Sequence, residues 1–241
     1  MHRIVFATLL SLALPVASPA SAQVKATKPA KPARTPDCVY VGTPHDVIDK
    51  MLELADLKKD DVVYDLGCGD GQLLVELEQR KGCQGRGIEI NERAVLACIR
   101  RGVAVYHGDM VEGMGFYHDA TFDVVILSQT LQQAADPVRV IREMLRVGKT
   151  AIISFPNFGY WRVRLQLLLT GRMPKTPLLP YDWFNTPNVH LCTVNDFRAL
   201  CEALEVERVQ EIFVVPPARA ISSFWANARA GLAIFQIHPQ G

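Results

Sequence analysis

Asp65-Leu66-Gly67-Cys68-Gly69-Asp70-Gly71 sets three glycines at alternating positions between an apolar run and a helix-like one, a pattern suited to holding a nucleotide. Glycine takes positive φ and lets a ligand approach without meeting a Cβ, and a helix beginning just afterwards offers free N–H groups to polar or anionic atoms. The spacing selects among nucleotides. A dinucleotide fingerprint G-x-G-x-x-G needs a small residue at position 72, which is Gln72, whereas the third glycine arrives one residue early, at Gly71. A second acid, Glu89, closes the run Gly85-Arg86-Gly87-Ile88 at a strand's C-terminal end. An α/β nucleotide fold places there the carboxylate that accepts both ribose hydroxyls. Asp109, in His107-Gly108-Asp109-Met110, follows a further short strand. Any one of these carboxylates alone reads as a solvated loop residue, but in order behind a glycine loop they mark one site.

The elements that must position these residues alternate regularly. Residues 62–66 read as a buried parallel strand, and 72–78 carry apolar residues at helical spacing. Thr43-Pro44 opens a helix over 46–57, Asn91 caps one through 101 with Gly102 after it, and Asp136 with Pro137 opens another to 147. Strands are predicted at 85–90, 103–106, 122–127, 150–155, 206–215 and 232–237, and a capped helix at 193–204. The βαβα order predicts a doubly wound, mostly parallel sheet with its ligand at the C-terminal strand ends, where Gly67, Glu89, Asp109 and Ser128 fall.

The acid-led G-x-G-x-G loop resembles the S-adenosylmethionine (SAM) loop of class I methyltransferases. That resemblance implies SAM as cofactor and a seven-stranded, Rossmann-like sheet closed by a C-terminal antiparallel hairpin. It also implies a cofactor site lined by Asp65, Gly67, Cys68, Gly69, Gly71, Glu89, Ile90, Asp109, Met110 and Ser128, with Asp109 beside the adenine amino group.

The chain has 241 residues, 49% of them hydrophobic, and a net charge of +1, enough for one α/β domain with a large core. Cations are dispersed and matched by 25 acids, which argues against a nucleic-acid surface; Arg162, Arg164 and Arg172 cluster, as a solvated helix face would. His2-Arg3, the apolar stretch 4–17 and Ala20-Ser21-Ala22 read as a secretory signal peptide over 1–22, too short for a bilayer span. Residues 23–37, rich in Lys, Pro and Ala, read as a disordered linker, and the folded domain should occupy 38–241. A processed signal peptide places the protein in the periplasm or outside the cell. The six cysteines form no C-x-x-C pair and no zinc or disulfide framework, the six histidines show no ligand spacing, and no metal is indicated. Most of the cysteines should be small buried hydrophobes, with Cys68 inside the ligand loop.

Residues 154–188 are the distinguishing segment. A helix is predicted over 160–170, ended by Gly171-Arg172-Met173-Pro174, and then a long loop ordered by burial of its aromatics Tyr181, Trp183 and Phe184. The run 126–132 (Ile-Leu-Ser-Gln-Thr-Leu-Gln), the block 154–169, Gly171-Arg172-Met173-Pro174, Leu179-Pro180-Tyr181 and Thr186-Pro187-Asn188 closely resemble the MetW family of methionine-biosynthesis proteins, over roughly residues 60 to 237. The resemblance implies the methyltransferase fold, a role in methionine biosynthesis in the cytoplasm, and homoserine O-acyltransferase as a partner whose activity is supported. The N-terminal part, with Tyr40-Val41-Gly42-Thr43-Pro44, instead resembles exported bacterial methyltransferases.

Methyl transfer needs in-line positioning of a nucleophile, and a base where that nucleophile carries a proton. Tyr160, Tyr181, Asp182 and His190 lie in the segment placed to cover the methyl group, and none is singled out as catalytic. Ser128-Gln129 stands where D-P-P-Y or N-P-P-Y would, which disfavours methylation of nucleic-acid bases. Three readings follow: a SAM-dependent methyltransferase on a small-molecule acceptor, a non-catalytic SAM-binding activator of the acyltransferase, or an exported methyltransferase of envelope components.

Overall fold

The computed structural model describes Thr43 and residues 45–215 and 219–239. The expected signal peptide, linker and domain start near Cys38 lie outside the described residues, as does Pro44. Eight strands form one sheet in the order β3-β2-β1-β4-β5-β8-β6-β7. Strands β1 (Val62–Leu66), β2 (Gln84–Glu89), β3 (Ala104–His107), β4 (Phe122–Ser128) and β5 (Gly148–Pro156) are parallel. The last wide strand, β8 (Leu232–His238), runs antiparallel between β5 and β6 (Glu207–Val215). The expected seven strands are therefore eight: β7 (Arg219–Ile221) returns along the outer edge of β6, pairing Ile221 with Phe213 and Arg219 with Val215. Three residues are too few for an alternation to show in sequence.

Both faces of the sheet are covered, so successive strand residues are buried on opposite sides. Tyr64, Leu66, Val125 and Leu127 join Phe155, Phe197 and Phe235 under the helices α5 (Pro137–Val147) and α7 (Val194–Ala203). Val63, Val124 and Ile126 join Ile48, Met51, Leu74 and Cys98 under α1 (His45–Ala55), α2 (Gln72–Lys81) and α3 (Glu92–Arg100). The helices start where the caps demand. Asn91 accepts from Arg93 and Ala94 N–H, Asp136 from Arg139 N–H, and Thr193 with Asp196 forms a reciprocal capping box. Two short helices had no sequence signal, α4 (Met110–Met114) and α8 (Ala226–Arg229).

Helix α6 (Trp161–Thr170) ends at Gly171 in the left-handed conformation, φ +61°. The loop after it departs from expectation. Trp183 and Phe184 are 75% and 70% exposed and meet edge-to-face at 5.8 Å, so aromatic burial does not order this segment. Polar ties do so instead: Val189 and His190 N–H both donate to the Gln132 carbonyl, and Lys175 pairs with Asp182. The origin of α6 is fixed by Asn157, buried at the end of β5. Its amide donates to the carbonyls of Asn227 and Ala230 and accepts from Gly159 and Val194 N–H.

Candidate functional site

The C-terminal ends of β1, β2 and β4 converge on the glycine loop. Gly67, Gly69 and Gly71 all take positive φ (+71°, +56° and +78°), the left-handed turns that require glycine at alternate positions. Gly67 and Cys68 N–H donate to the Ile88 carbonyl at 2.8 and 3.0 Å, which lashes the loop to β2. Gly71 caps α2 without a side chain, and a Cβ on Gly67 would come within 3.0 Å of the Thr130 methyl. The loop therefore reaches the segment after β4 as well as β2.

Glu89 is 9% exposed and is held on two sides. Its Oε2 accepts from Gly69 N–H at 2.9 Å and its Oε1 from Ile90 and Asn91 N–H at 2.9 and 2.8 Å. A carboxylate has about four acceptor sites, so one direction stays open to a ligand. Ile90, next to it, is 39% exposed, a flat apolar surface at the strand end. The Gly108 N–H donates to the Glu89 carbonyl, and the His107 ring lies 3.2 Å from the Ile90 carbonyl, bringing 107–110 alongside. Asp109 is the N-cap of α4: Oδ1 accepts from Val111 and Glu112 N–H, and Met110 begins that helix.

Asp65 is the unusual member. It is 2% exposed, and its Oδ1 is buried with no hydrogen-bond partner among the described residues. Burial first, then the Glu89 carboxylate, pushes its acid up to about 8 from an ordinary 3.8. A buried acid with an unpartnered oxygen beside a second carboxylate is an arrangement that a cation would stabilise.

Ser128 ends β4 within a cluster of hydroxyls that sequence reading missed. Its Oγ lies 2.8 Å from Thr43 Oγ1 and 3.4 Å from Ser154 Oγ. Gln129 follows with φ +50°, a strained value for a side-chain-bearing residue, held by its N–H to the Ser154 carbonyl and Oγ. Of the four candidates for the covering segment, Tyr160 is buried in a small cluster with Val163 and Leu179, and Asp182 is paired with Lys175. Tyr181 is half-buried in the same loop. His190 belongs to a strip tied to the turn after β4, through its own N–H to the Gln132 carbonyl. Cys98 is a further missed neighbour: its thiol donates to the Gly69 carbonyl at 3.1 Å. Among the described residues no group of three His, Cys, Asp or Glu side chains could hold a metal, and no helix is long and apolar enough to cross a membrane.

With this geometry in place, the family described as "Methionine biosynthesis protein MetW" matches residues 46–237. The chain is 41% identical over 160 residues to the bifunctional methionine biosynthesis protein MetXA/MetW of Rhodopirellula baltica, covering 63% of this chain and 26% of that protein. It is 36% identical over 95 residues to a protein-lysine N-methyltransferase of Saccharolobus islandicus, covering 38% of this chain and 59% of that one. The chain thus spans about a quarter and under two thirds of these relatives' lengths. Similar solved structures include the [4+2]-cyclase SpnF, at TM-score 0.58 and 20% identity, covering 81% of each chain. The phosphoethanolamine N-methyltransferase 2 of Haemonchus contortus, solved with S-adenosyl-L-methionine, matches at TM-score 0.61 and 12% identity, over 81% of this chain and 53% of that one. A SAM-dependent methyltransferase of Thermotoga maritima, described as a possible histamine N-methyltransferase, matches at TM-score 0.56 and 18% identity, over 81% and 90%. These likenesses establish the class I methyltransferase fold.

Proposed function

The chain belongs to the MetW family, and from that premise we propose that it binds SAM on the 67–71 loop and transfers its methyl group to a small-molecule acceptor. The observation that carries this reading is the buried Asp65 Oδ1, without a hydrogen-bond partner among the described residues, near the Glu89 carboxylate and a loop of three left-handed glycines. SAM supplies an already activated sulfonium methyl and an ammonium group. Asp65 gives up its proton to take the cation, and the remaining acceptor site of Glu89 receives ribose hydroxyls. Ile90 and Met110 would flank the adenine, and Asp109, whose Oδ1 caps α4, would offer Oδ2 to its amino group. Cys68 and the loop glycines supply backbone walls close to the ligand, and Ser128, with Thr43 and Ser154, borders the end where the acceptor enters.

A second reading, a SAM-responsive activator of homoserine O-acyltransferase, is favoured by the surface of α6. Trp161, Leu165, Leu168 and Leu169 recur at helical spacing and are all exposed, Leu168 by 81%. Residues 158–181 contain Arg162, Arg164, Arg172 and Lys175 and no acid, so this apolar ridge is rimmed by cations. The Rhodopirellula relative is named for both MetXA and MetW activities in one protein. One experiment separates the readings: acylhomoserine formation by a homoserine O-acyltransferase with and without the 23–241 chain, across SAM concentrations, alongside release of S-adenosylhomocysteine. Stimulation without adenosylhomocysteine supports the activator. Adenosylhomocysteine formed with a candidate small acceptor supports the methyltransferase, and failure to bind SAM removes both.

A further inference from the structure

Cys68 sits between Gly67 and Gly69, and its sulfur lies 3.8 Å from that of Cys98 on the buried face of α3. The Cys98 thiol also donates to the Gly69 carbonyl, while Gly69 N–H donates to Glu89 Oε2, so one chain of contacts runs from Cys98 through the loop to the ribose acid. Cys68 is pinned against β2 on its other side: a Cβ on Gly87 would stand 2.5 Å from its sulfur. Cys83 and Cys192, by contrast, donate to backbone carbonyls.

We propose that Cys68 and Cys98 form a reversible thiol–disulfide pair that switches the cofactor loop, with a hydroperoxide as oxidant. The inference rests on reading 67–71 as the SAM cradle. A disulfide needs the sulfurs at about 2.05 Å, an approach of about 2 Å from where they stand. The movement must break the Gly67 and Cys68 N–H bonds to the Ile88 carbonyl, and once these open the three left-handed glycines leave the loop backbone free to shift. The first thiol attacks the peroxide, the O–O bond breaks, and a sulfenic acid forms with release of the alcohol, which is water when the oxidant is hydrogen peroxide. The second thiol attacks that sulfur, the S–S bond forms, and water leaves with the remaining thiol proton. The two thiols lose two electrons in total, and the peroxide takes them up. Burial keeps both sulfurs out of solvent while the loop is closed (4% and 0% exposed), so the reaction proceeds through loop opening, and bound SAM slows it. Oxidation removes the Cys98 hydrogen bond to Gly69 and draws the loop toward α3, away from its register with Glu89.

The test uses the 23–241 chain treated with hydrogen peroxide, then quenched. Expected results are a Cys68–Cys98 cross-linked peptide 2 Da lighter than its reduced sum, at least tenfold weaker SAM binding by calorimetry, and recovery on adding dithiothreitol. Cys98→Ser is compared with its own untreated form, and its affinity ratio should stay near one. No cross-link, a cross-link with SAM affinity within twofold of the reduced protein, or an equal loss in Cys98→Ser each overturns the proposal. Reduced protein that binds no SAM overturns the cofactor reading instead, and the cross-linked peptide, lost again on adding dithiothreitol, still scores the pair.

Discussion

Asp65 is protonated near neutral pH in the ligand-free domain, because burial and Glu89 raise its acid from 3.8 to about 8. The folded state therefore holds a proton that the unfolded chain gives up above pH 4. Its contribution to stability is full below pH 4, shrinks as pH rises, and is gone above about 8. Cation binding runs the other way, since it needs the ionised form: SAM affinity should climb between pH 6 and 8, by up to about tenfold per unit, and then level. Asp65→Asn mimics the protonated form, so its Tm should match or exceed wild type at pH 8 while SAM affinity drops and its pH slope flattens. A parallel pH profile in the variant would remove Asp65 from the cation site. Glu89→Ala should weaken SAM binding by about 1–3 kcal/mol, read by calorimetry at fixed pH; undiminished affinity would mean that the ribose lies elsewhere. Both acids were legible in the sequence because they sit at strand ends beside glycines. The orphaned state of Asp65 was not legible, since it depends on which side chains fold around it, and neither was Cys98, whose partner is 30 positions away.

At the scale of elements, the strands and caps were readable because each rests on local chemistry. The 62–66 strand, the Asn91 and Asp136 caps and the Thr193 capping box all stand where residue type and periodicity put them. Misses fall where order comes from distant partners. Strand β7 exists only because the far end of β6 offers an edge, and the loop after α6 is held by the Gln132 carbonyl rather than by its own aromatics. Asn157 is the extreme case, one amide joining the end of β5 to the starts of α6 and α7 and to α8. Asn157→Asp turns two donated hydrogen bonds into carboxylate–carbonyl oppositions inside a buried site. The expected loss is about 3–5 kcal/mol, a fall in Tm on the order of 10 °C by calorimetry. A Tm within two degrees of wild type would show that α6 is anchored by other contacts.

For the whole molecule, the α6 ridge is apolar surface that the fold itself does not use, so its removal should leave stability alone. Leu168→Glu with Leu169→Glu should change unfolding free energy by no more than about 0.5 kcal/mol, as for other surface substitutions. The same pair should abolish any stimulation of an acyltransferase in the coupled assay. A large destabilisation would mean that the ridge packs within the protein, and retained stimulation would move the docking surface elsewhere. The strand order carries one more consequence, for synthesis. Of the described elements β8 is made last, yet it fills the slot between β5 and β6. As the nascent chain grows, β6 and β7 emerge with no place in the sheet, and the open side of β5 stays bare until Leu232–His238 leaves the ribosome. The parallel part of the sheet can thus form before its antiparallel part, and until β8 is inserted the bare edge of β5 is the place most open to wrong pairing.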